Sequence, residues 1–191
     1  MKNKLFFILL VCSLNTFSQE FKKHYYQNRF ELKDSLEAVN LYGTFKRHDT
    51  NHFWIKIQKS KKHYEILVFR QMGTRMILEK VENYKGNQLD GYFLFRSFGS
   101  EQGYYKNGKK HGFWVFSSDI GVTTKGYYKK GKKHGYWEED FETYIEKGRY
   151  KNDLREGWWI FEDTDIEVID ENGNKKTPQI KIFYKKGVKI K

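Results

Sequence analysis

Along residues 53–81 the apolar positions come in short runs of branched and aromatic side chains separated by polar turns. FWIKIQ at 53–58, YEILVFRQ at 64–71 and RMILEKV at 75–81 read as strands, with 59–63 and 72–74 turning the chain between them. Connections this short join antiparallel neighbours, because a parallel crossover needs far more chain. From 83 to 161 aromatic-rich runs take over, punctuated by glycine-containing pairs. Only ELKDSLEAV at 31–39 reads as a helix. The pattern predicts an all-β protein, an antiparallel meander of β-hairpins.

The hairpins repeat. GYYKNGKKHGFW at 103–114 returns as GYYKKGKKHGYW at 126–137 and as GRYKNDLREGWW at 148–159, at offsets of 23 and 22 residues. A weaker copy, NYKGNQLDGYF, occupies 83–93. LYGTFKRHDTNHFW at 41–54 keeps Gly43, Phe45 and Trp54 at matching spacing, and FYKKGVKIK at the C-terminus is half a unit. Residues 103–110 also spell G-x-x-x-x-G-K-K, one residue short of a phosphate-binding loop. Context excludes that loop. Its glycines should open a helix whose N-terminal amides hold the phosphate, yet here they lead into HGFWVF, a strand. The hydroxyl that would meet Mg²⁺ is replaced by Lys110 in one copy and Lys133 in the next. Asn107-Gly108 and Lys130-Gly131 instead suit a tight hairpin turn, which needs residues that tolerate positive φ. The third copy carries Asp153 for Gly and Glu156 for His, and is expected to turn differently.

A two-residue turn places all the persistent positions on one face of the ribbon. These are Gly103, Tyr105, Gly112 and Trp114, then Gly126, Tyr128, Gly135 and Trp137, then Gly148, Tyr150, Gly157 and Trp159. The rings can then lie over the glycines. A glycine-bulged three-residue turn would send the Tyr and Trp sets to opposite faces. Repetition of both sets favours the first register and a shared core. Phe113, Tyr136 and Trp158, with Tyr92 in the weaker copy, then face the other way. Beside Lys109, Lys110, Lys132 and Lys133 they form a candidate contact surface, able to stack on sugars or anchor a peptide. The alternative is that a second layer, such as residues 41–81, covers this face.

The pattern G-x-Tyr-x-Asn-Gly-x-x-His-Gly-x-Trp at 103–114 resembles the MORN repeat. It is most similar to the bacterial variant class, in which Trp replaces one Gly of the usual motif. The resemblance covers about 83–161 and rests on three copies in register. It implies a ribbon of β-hairpins used as a scaffold or in contacts with proteins or lipid. Some variant-class proteins carry an antitoxin label, which implies a cytoplasmic partner and fits poorly with the N-terminus of this chain.

That N-terminus has Lys2 and Lys4, an apolar run over 5–11 and small residues Thr16 and Ser18, the layout of a secretory signal peptide cleaved before Gln19. Val11 is too bulky for lipidation of Cys12, and cleavage after Ser18 leaves no cysteine. The expected organisation is a signal peptide at 1–18, an arm or short helix at 19–40, antiparallel strands at 41–81, MORN-like hairpins at 82–161, and a charged segment with the half repeat at 162–191. The protein is expected to be exported, to the periplasm or beyond.

Composition sharpens the choice of partner. The net charge is +12, or +10 without Lys2 and Lys4, which favours acidic surfaces; for an exported chain these are lipid headgroups, glycans or proteins rather than nucleic acid. Residues 103–135 hold eight lysines against one acid, whereas 138–171 hold thirteen acids against four bases. Both read either as solvated edges that discourage aggregation or as a bipolar surface suited to an acidic partner or to self-association. Catalytic chemistry is poorly supplied. No serine sits in a nucleophile-elbow setting, and Glu138, Glu139 and Asp140 are neighbours that alternate between faces. His111 and His134 share a slot one hairpin apart, roughly 9–10 Å, too far to share one zinc ion. Asp163, Asp165, Glu167 and Asp170 alternate like a calcium loop, but Val168 stands where its glycine belongs. No enzyme, cofactor or metal site is expected. Non-covalent binding of a protein partner is the leading reading, with anionic lipid or polysaccharide held by the lysine turns as the alternative.

Overall fold

The computed structural model describes residues 31–32, 46–47, 51–73 and 75–190. The signal-like segment, Cys12 and most of the 19–40 arm lie outside them, as do Gly43 and Phe45. The described residues form strands and turns, with no helix. In chain order the strands are β1 (Glu31–Leu32), β2 (Lys46–Arg47), β3 (His52–Gln58), β4 (His63–Met72), β5 (Arg75–Lys85), β6 (Gln88–Arg96), β7 (Gly99–Lys106) and β8 (Lys109–Ser118). They continue with β9 (Thr123–Lys129), β10 (Lys132–Asp140), β11 (Tyr144–Lys151), β12 (Leu154–Asp163), β13 (Val168–Ile169), β14 (Lys175–Lys176), β15 (Gln179–Lys185) and β16 (Val188–Lys189).

Contacts divide the chain into two units, 1–53 with 69–78 and 54–68 with 79–191. In the first, β1 lies antiparallel to β5, Leu32 opposite Met76. Glu31 and Leu32 are therefore strand where the sequence suggested a helix start; the rest of 33–39 lies outside the described residues. Phe69, Met76 and Leu78 are buried there.

The second unit is an antiparallel meander in which β6 to β11 each pair with the next strand. β15 joins the free side of β12, and β16 folds back on β15. The C-terminal half unit therefore extends the ribbon, while β13 and β14 form a separate small hairpin in the connection. Its turn is held by Asp170, whose Oδ1 accepts from the Asn172 and Asn174 amides, each at 2.9 Å.

Each repeat is a hairpin closed by a two-residue turn. Lys106 pairs with Lys109, Lys129 with Lys132 and Lys151 with Leu154. Asn107 and Gly108, Lys130 and Gly131, and Asn152 and Asp153 all have positive φ, the mirror-image turn whose twist matches the strands it joins. The third turn is thus of the same kind as the others, contrary to the expectation from Asp153. Asp is among the side chains that tolerate this region. Here its Oδ1 also accepts from the Lys133 amide at 2.7 Å, while its own amide donates to the Lys133 carbonyl at 3.0 Å. The equivalent amides of Gly108, Gly131 and Gly187 donate to Leu89, Lys110 and Arg155 carbonyls at 2.8–2.9 Å. Every tip is therefore tied to the preceding hairpin.

Within each hairpin the register jumps by two residues. Tyr104 pairs with His111 but Gln102 pairs with Val115, so Gly112, Phe113 and Trp114 oppose the single residue Gly103. The same shift occurs in the other two repeats. Gly112, Gly135 and Gly157 sit in this bulge at φ of 71–80°, so they serve the backbone; no ring lies over them. The ring-covered glycines are the other set. A Cβ on Gly103, Gly126 or Gly148 would come within 2.2–2.4 Å of the Trp114, Trp137 or Trp159 ring. The bulge also provides each indole with a partner: Trp114, Trp137 and Trp159 donate Nε1–H to the carbonyls of Tyr104, Tyr127 and Arg149 at 3.0–3.1 Å.

The three tryptophans are 0% exposed. At about 25 cal/mol per Å² and roughly 150–250 Å² each, their burial is worth on the order of 4–6 kcal/mol apiece at most. Tyrosines stand edge-on between them: Tyr105–Trp114 at 5.1 Å, Tyr128–Trp137 at 5.0 Å and Tyr150–Trp159 at 4.9 Å between ring centres. Trp114–Tyr128, Trp137–Tyr150 and Trp159–Tyr184 link successive units at 5.9–6.4 Å. Phe93 of the weaker copy begins the row against Tyr105.

Candidate functional site

The two faces of this ribbon treat the same residue types in opposite ways. On the ring face each repeat carries one cation. Lys110 lies 4.4 Å from the Trp114 ring centre and 5.5 Å from that of Tyr128; Lys133 lies 4.3 Å from Trp137 and 4.8 Å from Tyr150. Arg155 lies 4.2 Å from Trp159 and 5.4 Å from Tyr184. Each cation meets a carboxylate: Lys110 with Glu101, Lys133 with Glu139 at 2.6 Å, Arg155 with Glu146. In the outer repeats the acid stands two residues before the ring-covered glycine and Phe116 or Phe161 stands two after the tryptophan. The middle repeat reverses this, with Thr124 and Glu139. One carboxylate per cation is kept, whichever strand supplies it. Lys110 and Lys133 therefore belong to the packed face rather than beside the outward rings, because they alternate with Lys109 and Lys132.

Burial pushes the Tyr128 hydroxyl up to about 12, helped by the carboxylates of Glu101, Asp153 and Glu139. Tyr105 shifts the same way, by burial and then Glu101. Both shifts are consequences of packing.

The opposite face is the candidate site. Phe113, Tyr136 and Trp158 lie on it, exposed by 44%, 44% and 56%. At that exposure all three rings are open to solvent. Tyr92 shares the face, half-buried, with its hydroxyl donating to Gln102 Oε1 at 3.1 Å. The structure adds partners that were not singled out from sequence. Tyr92 opposes Tyr104, Phe113 opposes Tyr127, Tyr136 opposes Arg149 and Trp158 opposes Phe183. Ring centres in the three aromatic pairs are 5.5, 5.2 and 5.2 Å apart. Tyr104, Tyr127, Arg149 and Phe183 each precede a core tyrosine, so strand alternation alone was the available signal.

Beside the pairs, toward the hairpin tips, run Lys106, Lys109, Lys129, Lys132, Lys151 and Lys185, all exposed. None of these forms an ion pair among the described residues. On the other side Lys125 pairs with Glu138 at 2.7 Å and Lys147 with Glu162 at 2.5 Å, while Lys181 is exposed. Of the thirteen acids of the 138–171 segment, Glu138 and Glu139 pair with Lys125 and Lys133 of the basic half, so the two halves are joined by ion pairs without losing their opposite charge. The tip row keeps its charge. His111 and His134 also lie on this face, His134 Nδ1 without a hydrogen-bond partner; no group of three or more metal-ligating side chains forms among the described residues.

Compared with known proteins, the chain matches no family model and no curated protein.

Proposed function

We propose that this chain is an exported, non-enzymatic repeat protein of MORN-like type that works by binding a protein partner through the outward face of its hairpins. One observation carries the reading. In every repeat one ring is consumed by the core and its sequence neighbour is left at the surface, in pairs at a regular interval. Single exposed aromatics are ordinary, but a contiguous row of them marks an interaction surface, and Trp, Tyr and Arg are the side chains that dominate such contacts. A pull-down with the full chain tests this. Wild type should retain a partner that Tyr136→Ala and Trp158→Ala release, each costing about 2 kcal/mol or more of binding; retention unchanged in both variants overturns the reading.

The row of unpaired tip lysines supports a second reading, capture of anionic lipid or polysaccharide. Its membership differs from the sequence expectation, since Lys110 and Lys133 are turned to the other face and Lys106, Lys129, Lys151 and Lys185 join Lys109 and Lys132. Co-sedimentation with anionic vesicles at two salt concentrations separates the readings, because each lysine at a lipid surface is worth about 1 kcal/mol and is screened by salt.

A further inference from the structure

We infer that the outward face docks an acidic segment in the polyproline II conformation, laid across the strands; this rests on reading that face as a protein-contact surface. Shape comes first. The four cross-strand pairs, Tyr92/Tyr104, Phe113/Tyr127, Tyr136/Arg149 and Trp158/Phe183, each join one hairpin to the next. Within a hairpin the bulge places His111, not Phe113, opposite Tyr104. The face is therefore ridged: a planar pair, then a step held by His111, His134 or Glu156, once per hairpin. Regularly spaced aromatic ridges are what a polyproline helix packs into, and such a ligand gives up little conformational entropy on binding.

Spacing selects among peptide conformations. Equivalent strands of successive hairpins are two strand spacings apart, about 9.4–9.8 Å. A polyproline II helix brings every third residue back to one edge at about 9.3 Å. Over the three steps from first ridge to last it drifts by only about 0.3–1.5 Å. An extended strand repeats at about 6.6–6.8 Å and is out of step at the first gap. Two turns of α-helix span about 10.8 Å and drift by roughly 3–4 Å over the same distance.

Charge selects the sequence. The unpaired row of Lys106, Lys109, Lys129, Lys132, Lys151 and Lys185 runs along one side of the ridges with the same period. With three residues per turn, prolines on one edge of the ligand pack between the ridges while a carboxylate on the next edge meets a lysine in each hairpin. Beyond the other side of the ridges Lys125 and Lys147 are already paired with Glu138 and Glu162 and Lys181 is the one left exposed, so the larger unpaired row places the acids on the tip side.

The test uses the full chain and a labelled peptide of four Pro-Pro-Glu repeats, read by fluorescence anisotropy at two ionic strengths. Two control peptides are Pro-Pro-Lys repeats and a block peptide of the same composition with its glutamates together. The periodic acidic peptide should bind at least about tenfold more tightly than either control. Phe113→Ala and Trp158→Ala should each weaken it by about tenfold or more, as interface aromatics do. Lys129→Glu with Lys132→Glu should remove the salt-sensitive part of the affinity. Equal binding of the block peptide overturns the spacing argument, and tighter binding of the lysine peptide overturns the charge argument. Anionic vesicles or an acidic polysaccharide binding with the same variant sensitivity, while the peptide does not bind, overturns the assignment in favour of that ligand. If the peptide fails but Tyr136→Ala and Trp158→Ala still release a captured partner, only the polyproline inference falls. If those variants also have no effect, the contact reading falls with it.

Discussion

Tyr104 and Tyr105, Tyr127 and Tyr128, Phe113 and Trp114, and Trp158 and Trp159 are adjacent in sequence and nearly alike in chemistry, yet one of each pair packs on the ring face, the tryptophans buried and the tyrosines half-buried, and the other is exposed. Lys109 and Lys110, and Lys132 and Lys133, divide in the same way. The difference comes from strand alternation and from what each face offers. On the ring face the glycines let tryptophans lie against bare backbone, and each cation finds rings and a carboxylate. On the outward face there is no glycine bed, and the acids at the tips, Asp90 and Glu156, accept from the backbone amides of Asn107 and Lys186 rather than pairing with the tip lysines. The same residue types that provide the stability of one face are left available on the other.

The contrast is broken most sharply at the tryptophans. Trp137→Ala should cost about 3–5 kcal/mol in denaturant unfolding, as large aromatic truncations in cores do. Trp158→Ala, one hairpin on and on the outward face, should stay within about 1 kcal/mol. Similar midpoints for the two would mean that the faces are not distinguished as described.

A smaller effect separates the lysines. Lys133→Ala leaves Glu139, 8% exposed, without its cation, and should cost about 1–3 kcal/mol, as expected for a buried group deprived of its partner. Lys132→Ala should change stability by less than about 0.5 kcal/mol. Urea titrations of both variants check this, and adding Glu139→Gln to Lys133→Ala should recover part of the loss.

The smallest effect is alkaline. Tyr128 is raised in the folded state from an ordinary value of 10.0 to about 12, so the folded protein holds its phenolic proton more tightly than the unfolded chain. That stability is fully present below pH 10 and is lost as pH rises from 10 toward 12. Thermal midpoints across this window should fall less steeply for Tyr128→Phe than for wild type. An unchanged slope would show that the ring row is more solvated than its packing implies.

Much of the fold was legible in the sequence. The strands at 53–58, 64–71 and 75–81 fall close to β3, β4 and the first part of β5, and Asn107-Gly108 and Lys130-Gly131 are the turns. Alternation survives the bulges because inserting two residues, rather than one, leaves the in–out parity unchanged. For the same reason the bulges themselves were invisible, and Gly112, Gly135 and Gly157 were read as part of the ring bed when they serve the backbone. Glu31 and Leu32 show the opposite failure: a helical pattern in an isolated window gave way to pairing with β5.

By itself the sequence determined the repeat, its hairpin turns and the period at which its aromatics recur. Those depend on local chain geometry and on periodicity, and both are written in residue order. Only the tertiary structure decided which face is covered, where Lys110 and Lys133 go, and that Tyr104, Tyr127, Arg149 and Phe183 complete the exposed pairs. Each of these depends on cross-strand register and on neighbours supplied from the next hairpin, and with aromatics and lysines on both faces no count of residue types distinguishes one from the other.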